Sequence, residues 1–124
     1  MERENRMATL VLDCAFEVHR NLGPGLLESA YQTALEAELI EKEVPFISQL
    51  EVPLEYKNRF IETAYRMDFL VGNCLIVELK AVEAIHDIHL AQILTYLKLS
   101  DKRLGLLINF NSDLLKNGIK RVIL

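Results

Sequence analysis

The 124-residue sequence predicts an α/β domain built on a mixed sheet. Three observations predict it. Apolar residues recur at helical spacing up to about residue 43, the pattern changes to alternation from Phe46, and Gly, Pro and Asn fall mostly where the period changes. The resulting order is α-α-β-β-β-α-β with a further short strand at the end, which calls for helices packed on a mixed sheet. Length and the 51% apolar content fit one domain over residues 1–124, large enough to fold without a disulfide or a structural metal.

The first helix is expected over about 5–21, where Leu10, Val11, Cys14, Val18 and Leu22 recur at helical spacing. Gly23-Pro24-Gly25 breaks it, because proline removes a donor and restricts the residue before it. A second helix, rich in Ala, Leu and Glu, should run from about Leu26 to Glu43. Leu50, Val52, Leu54 and Tyr56 then alternate with polar residues as a half-buried strand, and Pro53 places that strand at an edge or a bulge. Lys57-Asn58 turns into a second strand over Phe60–Val71, and Gly72-Asn73 turns into a third over Cys74–Ala81. A third helix is expected over Ala84–Leu99 and a fourth strand over Arg103–Phe110. A short turn or helix then starts at Asn111, and a last strand covers Lys120–Leu124.

The net charge of −4 argues against a surface that is basic throughout, since phosphate contacts come mainly from Lys and Arg. Lys98, Lys102 and Arg103, or Lys116, Lys120 and Arg121, could still form a local basic groove; ordinary solvated faces are the other reading. Cys14 and Cys74 lack any zinc-type spacing and are expected as buried thiols in a reducing compartment. The charged N-terminus does not read as a signal peptide, and no apolar run is long enough to cross a membrane. The protein is therefore expected to be soluble and cytoplasmic, with no membrane partner.

The second hairpin concentrates the chemistry. Residues two apart on a strand share a face, so Glu78 and Lys80 point one way while Leu75, Val77, Leu79 and Ala81 point the other. On the preceding strand, Arg66, Asp68 and Leu70 should share a face opposite Met67, Phe69 and Val71. For both apolar rows to meet one core, the loop should have three residues, 72–74, or an equivalent bulge. That pairs 71 with 75 and sets Asp68 opposite Glu78. Two carboxylates so placed repel, and a divalent cation such as Mg²⁺ or Mn²⁺ would resolve the repulsion, with Lys80 adding positive charge nearby. A solvated polar face in which Lys80 neutralises both acids is the alternative.

Asp68 followed by Glu78-Leu79-Lys80 resembles the D…ExK signature of the PD-(D/E)XK phosphodiesterases. Gly25, Glu28 and Tyr31 spell G-x-x-E-x-x-Y, behind the lead-in Phe16-Glu-Val-His19-Arg20-Asn-Leu22-Gly23-Pro24, and Gln92 and Tyr96 give Q-x-x-x-Y on the following helix. In this order and over almost the whole chain, the motifs resemble the GxxExxY family of that superfamily. Met67 stands where the superfamily's name has proline. The resemblance implies a restriction-endonuclease-like core, with an antiparallel meander followed by a crossover helix.

It also implies a metal-dependent nuclease acting on DNA, less readily on RNA, with Mg²⁺ or Mn²⁺ as cofactor. Asp68, Glu78 and Glu28 would be metal ligands and Lys80 the catalytic lysine. His89, Gln92 and Tyr96, a polar stripe on one helix face, would meet substrate along with Tyr31, which could equally orient Glu28 or simply pack. His19 reads as structural. A non-catalytic module that binds nucleic acid or protein on the same fold is the alternative, and small size raises the possibility of a homo-oligomer.

Overall fold

In a computed structural model, described for residues 1–62 and 65–124, the elements follow the expected order. They are α1 (Glu2–Leu22), α2 (Glu28–Glu41), β1 (Phe46–Tyr56), β2 (Arg59–Val71), β3 (Leu75–Lys80), α3 (Asp87–Ser100), β4 (Leu104–Asn109), a 3₁₀ turn (Leu115–Gly118) and β5 (Ile119–Ile123). The sheet has five strands in the order β1-β2-β3-β4-β5. Only the β3–β4 pair is parallel, joined by α3 as the crossover, and the other pairs are antiparallel. This is the mixed α/β sheet that the sequence predicts, with the antiparallel meander and crossover helix that the resemblance implies.

Two apolar layers hold the sheet. Ala8, Val11, Cys14, Ala15 and Val18 of α1, with Tyr31, Leu35 and Leu39 of α2, are buried at helical spacing. They pack on one sheet face against Phe69, Val71, Leu75, Val77, Leu79, Leu104, Leu106 and Ile108. On the other face Ile93, Tyr96 and Leu97 of α3 pack against Val52, Met67, Leu70 and Ile76. Gly105 lets α3 come close, since a Cβ there would lie 2.7 Å from Ile93 Cδ1.

Several local expectations meet the structure directly. Lys57 and Asn58 both take positive φ, the geometry of a tight two-residue hairpin turn. The second hairpin pairs Val71 with Leu75, so its loop has three residues. β1 is an edge strand whose register shifts between Val52 and Leu54, around Pro53. Cys14 and Cys74 are free and buried, and among the described residues no helix is long and apolar enough to cross a membrane.

Two expectations are corrected. Helices α2 and α3 start later than periodicity suggests, at Glu28 and Asp87. Leu26 and Leu27 stay in the loop that Tyr31 ties down, its hydroxyl bonding Gly23 O at 2.5 Å and Leu26 N at 3.2 Å. The start of α3 is set at His86, whose N–H donates to His89 Nδ1 at 3.0 Å. Met67 does not share a face with Phe69 and Val71. It packs with Leu70 and Val52 under α3. The reason is a kink: Gln49 in β1 takes φ +52°, and the β1–β2 register passes from Ser48↔Phe69 to Leu50↔Met67, omitting Gln49 and Asp68. Phe46 and Phe69, on one side of the kink, face the α1–α2 layer, whereas Leu50, Val52 and Met67, of the same parity, face α3.

Candidate active site

Asp68 sits where the sheet opens. The β2–β3 ladder ends at Phe69↔Val77, one residue short of the expected Asp68–Glu78 pair, because side chains replace the backbone bonds there. The Asp68 N–H donates to Glu78 Oε1 at 3.0 Å, and the Leu79 N–H donates to Asp68 Oδ2 at 2.8 Å. Gln49 Nε2 stands 3.5 Å from Asp68 Oδ1, and Gln32 Nε2 of α2 stands 3.4 Å from the Asp68 carbonyl oxygen. The kinked β1, the wedge of carboxyls and α2 therefore fix Asp68 from three sides.

Glu78 is 4% exposed. Burial first, then the charge of Asp68 and the hydrogen bond between the two carboxyls, push it up to about 9, while the Asp68 N–H and Lys80 pull the other way. Burial and the neighbouring acid thus favour the protonated form of the Glu78 carboxyl. Lys80, two residues on along β3, is half-buried at the C-terminal end of the parallel β3–β4 pair. Its backbone carbonyl is held by the Phe110 N–H at 2.9 Å. Among the described residues Lys80 closes no ion pair; the sole bridge there is Arg20–Glu17 on the surface. Its charge still reaches Glu28, Glu78 and His89, lowering each of them in proton affinity.

Glu28 opens α2. The residue is exposed, but partial burial of its carboxyl, then the charge of Asp68, raise its proton affinity, against the pull of Lys80. The charges that bear on Glu28 are thus those of Asp68 and Lys80. Among the described residues, however, no three His, Cys, Asp or Glu side chains lie close enough together to hold a metal ion. The expected triad is therefore drawn in as a touching pair, Asp68 and Glu78, with Glu28 standing off from it.

α3 closes the other side. Tyr96 is buried, and its hydroxyl is pushed up to about 12 by burial, then by Glu78 and Asp68, while a hydrogen bond with Gln92 works in the opposite sense. Gln92, Tyr96 and His89 line one cleft of ≈ 350 Å³ between α3 and β1–β2, together with Leu54, Tyr65, Ile88 and Leu99. His89 is lowered by burial, then by Lys80 and His86, and its Nδ1 is committed to the His86 N–H.

Tyr31 is placed differently from the other three. It is fully buried, stacked on Phe110 with ring centroids 4.6 Å apart, and its hydroxyl ties the loop before α2. It holds the loop that precedes Glu28. His19 likewise is structural, with Nε2 2.8 Å from Ser112 O. The basic clusters stand apart from this site. Arg121 hydrogen-bonds Asn5 on the α1 side, and Lys98, Arg103 and Lys116 are exposed.

Three positioning residues escape a reading of the sequence. Gln49 carries no turn signature, so nothing announces its αL backbone. Gln32 lies one helical turn beyond Glu28, a spacing that does point to it. Asn109 ends the apolar run of β4 and is buried. Its Oδ1 accepts from Val82 N at 3.1 Å and Asn111 N at 3.2 Å, and its Nδ2 donates to Val82 O at 2.9 Å. This clamp fixes the chain between Lys80 and α3. Asn111 Oδ1 in turn accepts from the Gly25 N–H at 3.0 Å, bringing the start of α2 to the same end of the sheet.

A family model of the PD-(D/E)XK nuclease superfamily matches residues 5–122. The chain belongs to the PD-(D/E)XK nuclease superfamily. No curated protein and no solved structure matches it. The D…ExK pattern for which this superfamily is named is met here by Asp68, Glu78 and Lys80, the three residues at which β2 and β3 part.

Proposed function

We propose that this protein hydrolyses phosphodiester bonds in nucleic acid, DNA in the first place, with Mg²⁺ or Mn²⁺ as cofactor. The observation that carries the reading is the contact of Asp68 with a buried Glu78, next to a lysine that neutralises neither. A donor set made only of carboxylate oxygens suits a hard divalent cation. Occupancy would also offset the repulsion between the two acids. Asp68 and Glu78 would hold the ion, and Glu28, already facing their charge, would complete the shell directly or through water. When bound, such an ion polarises the phosphate and lowers the pKa of a water.

The chain's own residues do the rest. Lys80 places positive charge where the transition state gathers negative charge. Gln92, Tyr96 and His89 line the cleft where substrate would lie. Gly25, Glu28 and Tyr31 act as one device, the loop and its tie presenting the acid, which supports assignment to the GxxExxY family. Two free, buried thiols support a reducing, cytoplasmic setting. One domain over residues 1–124 carries all of this, and a homo-oligomer that joins two sites is tested by light scattering.

The direct test is cleavage of single- and double-stranded DNA and RNA with Mg²⁺ or Mn²⁺. Wild-type protein should cut at least one of them, and Lys80→Ala and Glu78→Ala should lose about 10²-fold or more in rate. Equal residual cleavage by all three proteins would mean that the activity is foreign to this site. One observation favours a second reading, a binding module without catalysis: three of the four oxygens of the acidic pair already have N–H partners. Such a module would bind nucleic acid or protein equally well after Lys80→Ala and cut nothing.

A further inference from the structure

The β1–β2 hairpin reaches well beyond the rest of the sheet. β1 has 11 residues and β2 has 13, against 6 in β3. After the kink at Gln49 its inner face turns toward α3. Leu54 and Tyr65 form one wall of the ≈ 350 Å³ cleft, and Ile88, Gln92, Thr95, Tyr96 and Leu99 of α3 form the other. Tyr65 is 41% exposed and Ile88 is 71% exposed, so this apolar cleft is open to solvent. It also borders the candidate active site, because Tyr96 of the cleft packs in one apolar layer with Met67, the neighbour of Asp68.

The turn at the arm's end has a matching composition. Residues 56–60 read Tyr-Lys-Asn-Arg-Phe, with two aromatics, two cations and no acid, in a chain of net charge −4. Tyr56 is 59% and Phe60 is 74% exposed, and Lys57 Nζ lies 5.4 Å from the Tyr56 ring centroid. Cations interleaved with exposed rings form a surface that follows a phosphate backbone while bases stack. A stacked duplex offers its phosphates outward and keeps its bases paired. An apolar cleft with one open aromatic and a hydrogen-bonding Gln has nothing to take from it. An unpaired base supplies both a flat apolar face and an edge that hydrogen-bonds.

We propose that the cleft between α3 and the β1–β2 arm receives an unpaired nucleobase stacked on Tyr65, so that substrate reaches Asp68, Glu78 and Lys80 as a single strand. The inference rests on the nuclease reading for its consequence, but the binding itself can be measured without cleavage. The probe is a single-stranded oligonucleotide carrying 2-aminopurine, made as DNA and as RNA, and added to the Glu78→Gln chain without divalent cation. Base stacking changes the fluorophore's emission. A saturable change with either single strand, and none with the same sequence as a blunt duplex, supports the cleft. Tyr65→Ala should weaken that binding about tenfold or more, and Tyr65→Phe, which keeps the ring, should stay within about twofold.

Both substitutions fall on an exposed side chain, and a circular dichroism spectrum identical to the parent's establishes that each variant is folded. No change in emission, an equal change with duplex, or a Tyr65→Ala chain that binds like its parent would overturn the proposal. So would a Tyr65→Ala chain that alters only the mass measured by light scattering, which would give the cleft to a second copy. Cleavage by the wild-type chain with Mn²⁺ is scored separately. Stacking without cleavage would remove the nuclease and keep the cleft, and cleavage without stacking would do the reverse.

Discussion

Glu78 sets the chemistry at the level of single residues. Its carboxyl has an ordinary value of 4.5 and stands at about 9 in the folded chain. Between those limits the unfolded chain ionises Glu78 while the folded chain keeps it protonated. The stabilisation is therefore fully present below pH 4.5 and is lost as pH rises through about 9. By pH 7 the loss is roughly 3 kcal/mol. Urea unfolding from pH 5 to pH 8 in chelator should show wild-type stability falling more steeply than that of Glu78→Gln, which has nothing to ionise. Parallel slopes would mean that Glu78 is ionised in the native state. Tyr31 makes the contrasting case, since its hydroxyl serves only Gly23 O and Leu26 N. Tyr31→Phe keeps the stack on Phe110 and should cost about 1–2 kcal/mol in a thermal melt, with any loss of activity following the loop that carries Glu28.

At the scale of elements, the end of β4 decides how α3 meets the site. Asn109→Ala removes three hydrogen bonds and leaves both backbone groups of Val82 without their partner. A cost of about 2–4 kcal/mol is expected in denaturant unfolding. Gly118→Ala attacks the same corner, because a Cβ there would lie 2.5 Å from the Asn109 carbonyl oxygen. It should lose about 1–3 kcal/mol, and an unchanged midpoint for either variant would show the corner to be slack. The element order, the three-residue loop at 72–74 and the edge position of β1 were legible in the sequence because apolar period and turn chemistry carry them. The face of Met67 was not, because the alternation of Leu50, Val52, Leu54 and Tyr56 gives no sign of the kink at Gln49. An αL glutamine has no sequence signature, and what it exchanges is backbone pairing for contacts to Asp68. The start of α3 was misplaced for a similar reason: Ala84 and Ile85 look helical, but Asn109 holds the chain at Val82 and a histidine pair, rather than Ser or Asp, begins the helix.

The whole molecule is two apolar layers on one sheet, with the acids at the seam where β2 leaves β3. Cys14 and Cys74 lie in the larger layer, one from α1 and one from the loop at its edge, and burial raises both thiols. If that layer is one cooperative unit, a thiol reagent should label neither cysteine in native buffer and both at a single denaturant midpoint. Early labelling of Cys74 alone would separate the loop from the core. The site depends on the same architecture. The proposed cation seat depends on the meeting of α2, which carries Glu28, with the kinked hairpin, which carries Asp68 and Glu78. Titration calorimetry with Mn²⁺ at pH 7 in two buffers of different ionisation enthalpy measures that meeting directly. Wild-type protein should bind Mn²⁺ and release the Glu78 proton, giving a buffer-dependent heat, whereas Glu78→Gln should bind more weakly and release none. Equal affinity and equal, buffer-independent heats for the two proteins would contradict a cation seat at Asp68 and Glu78.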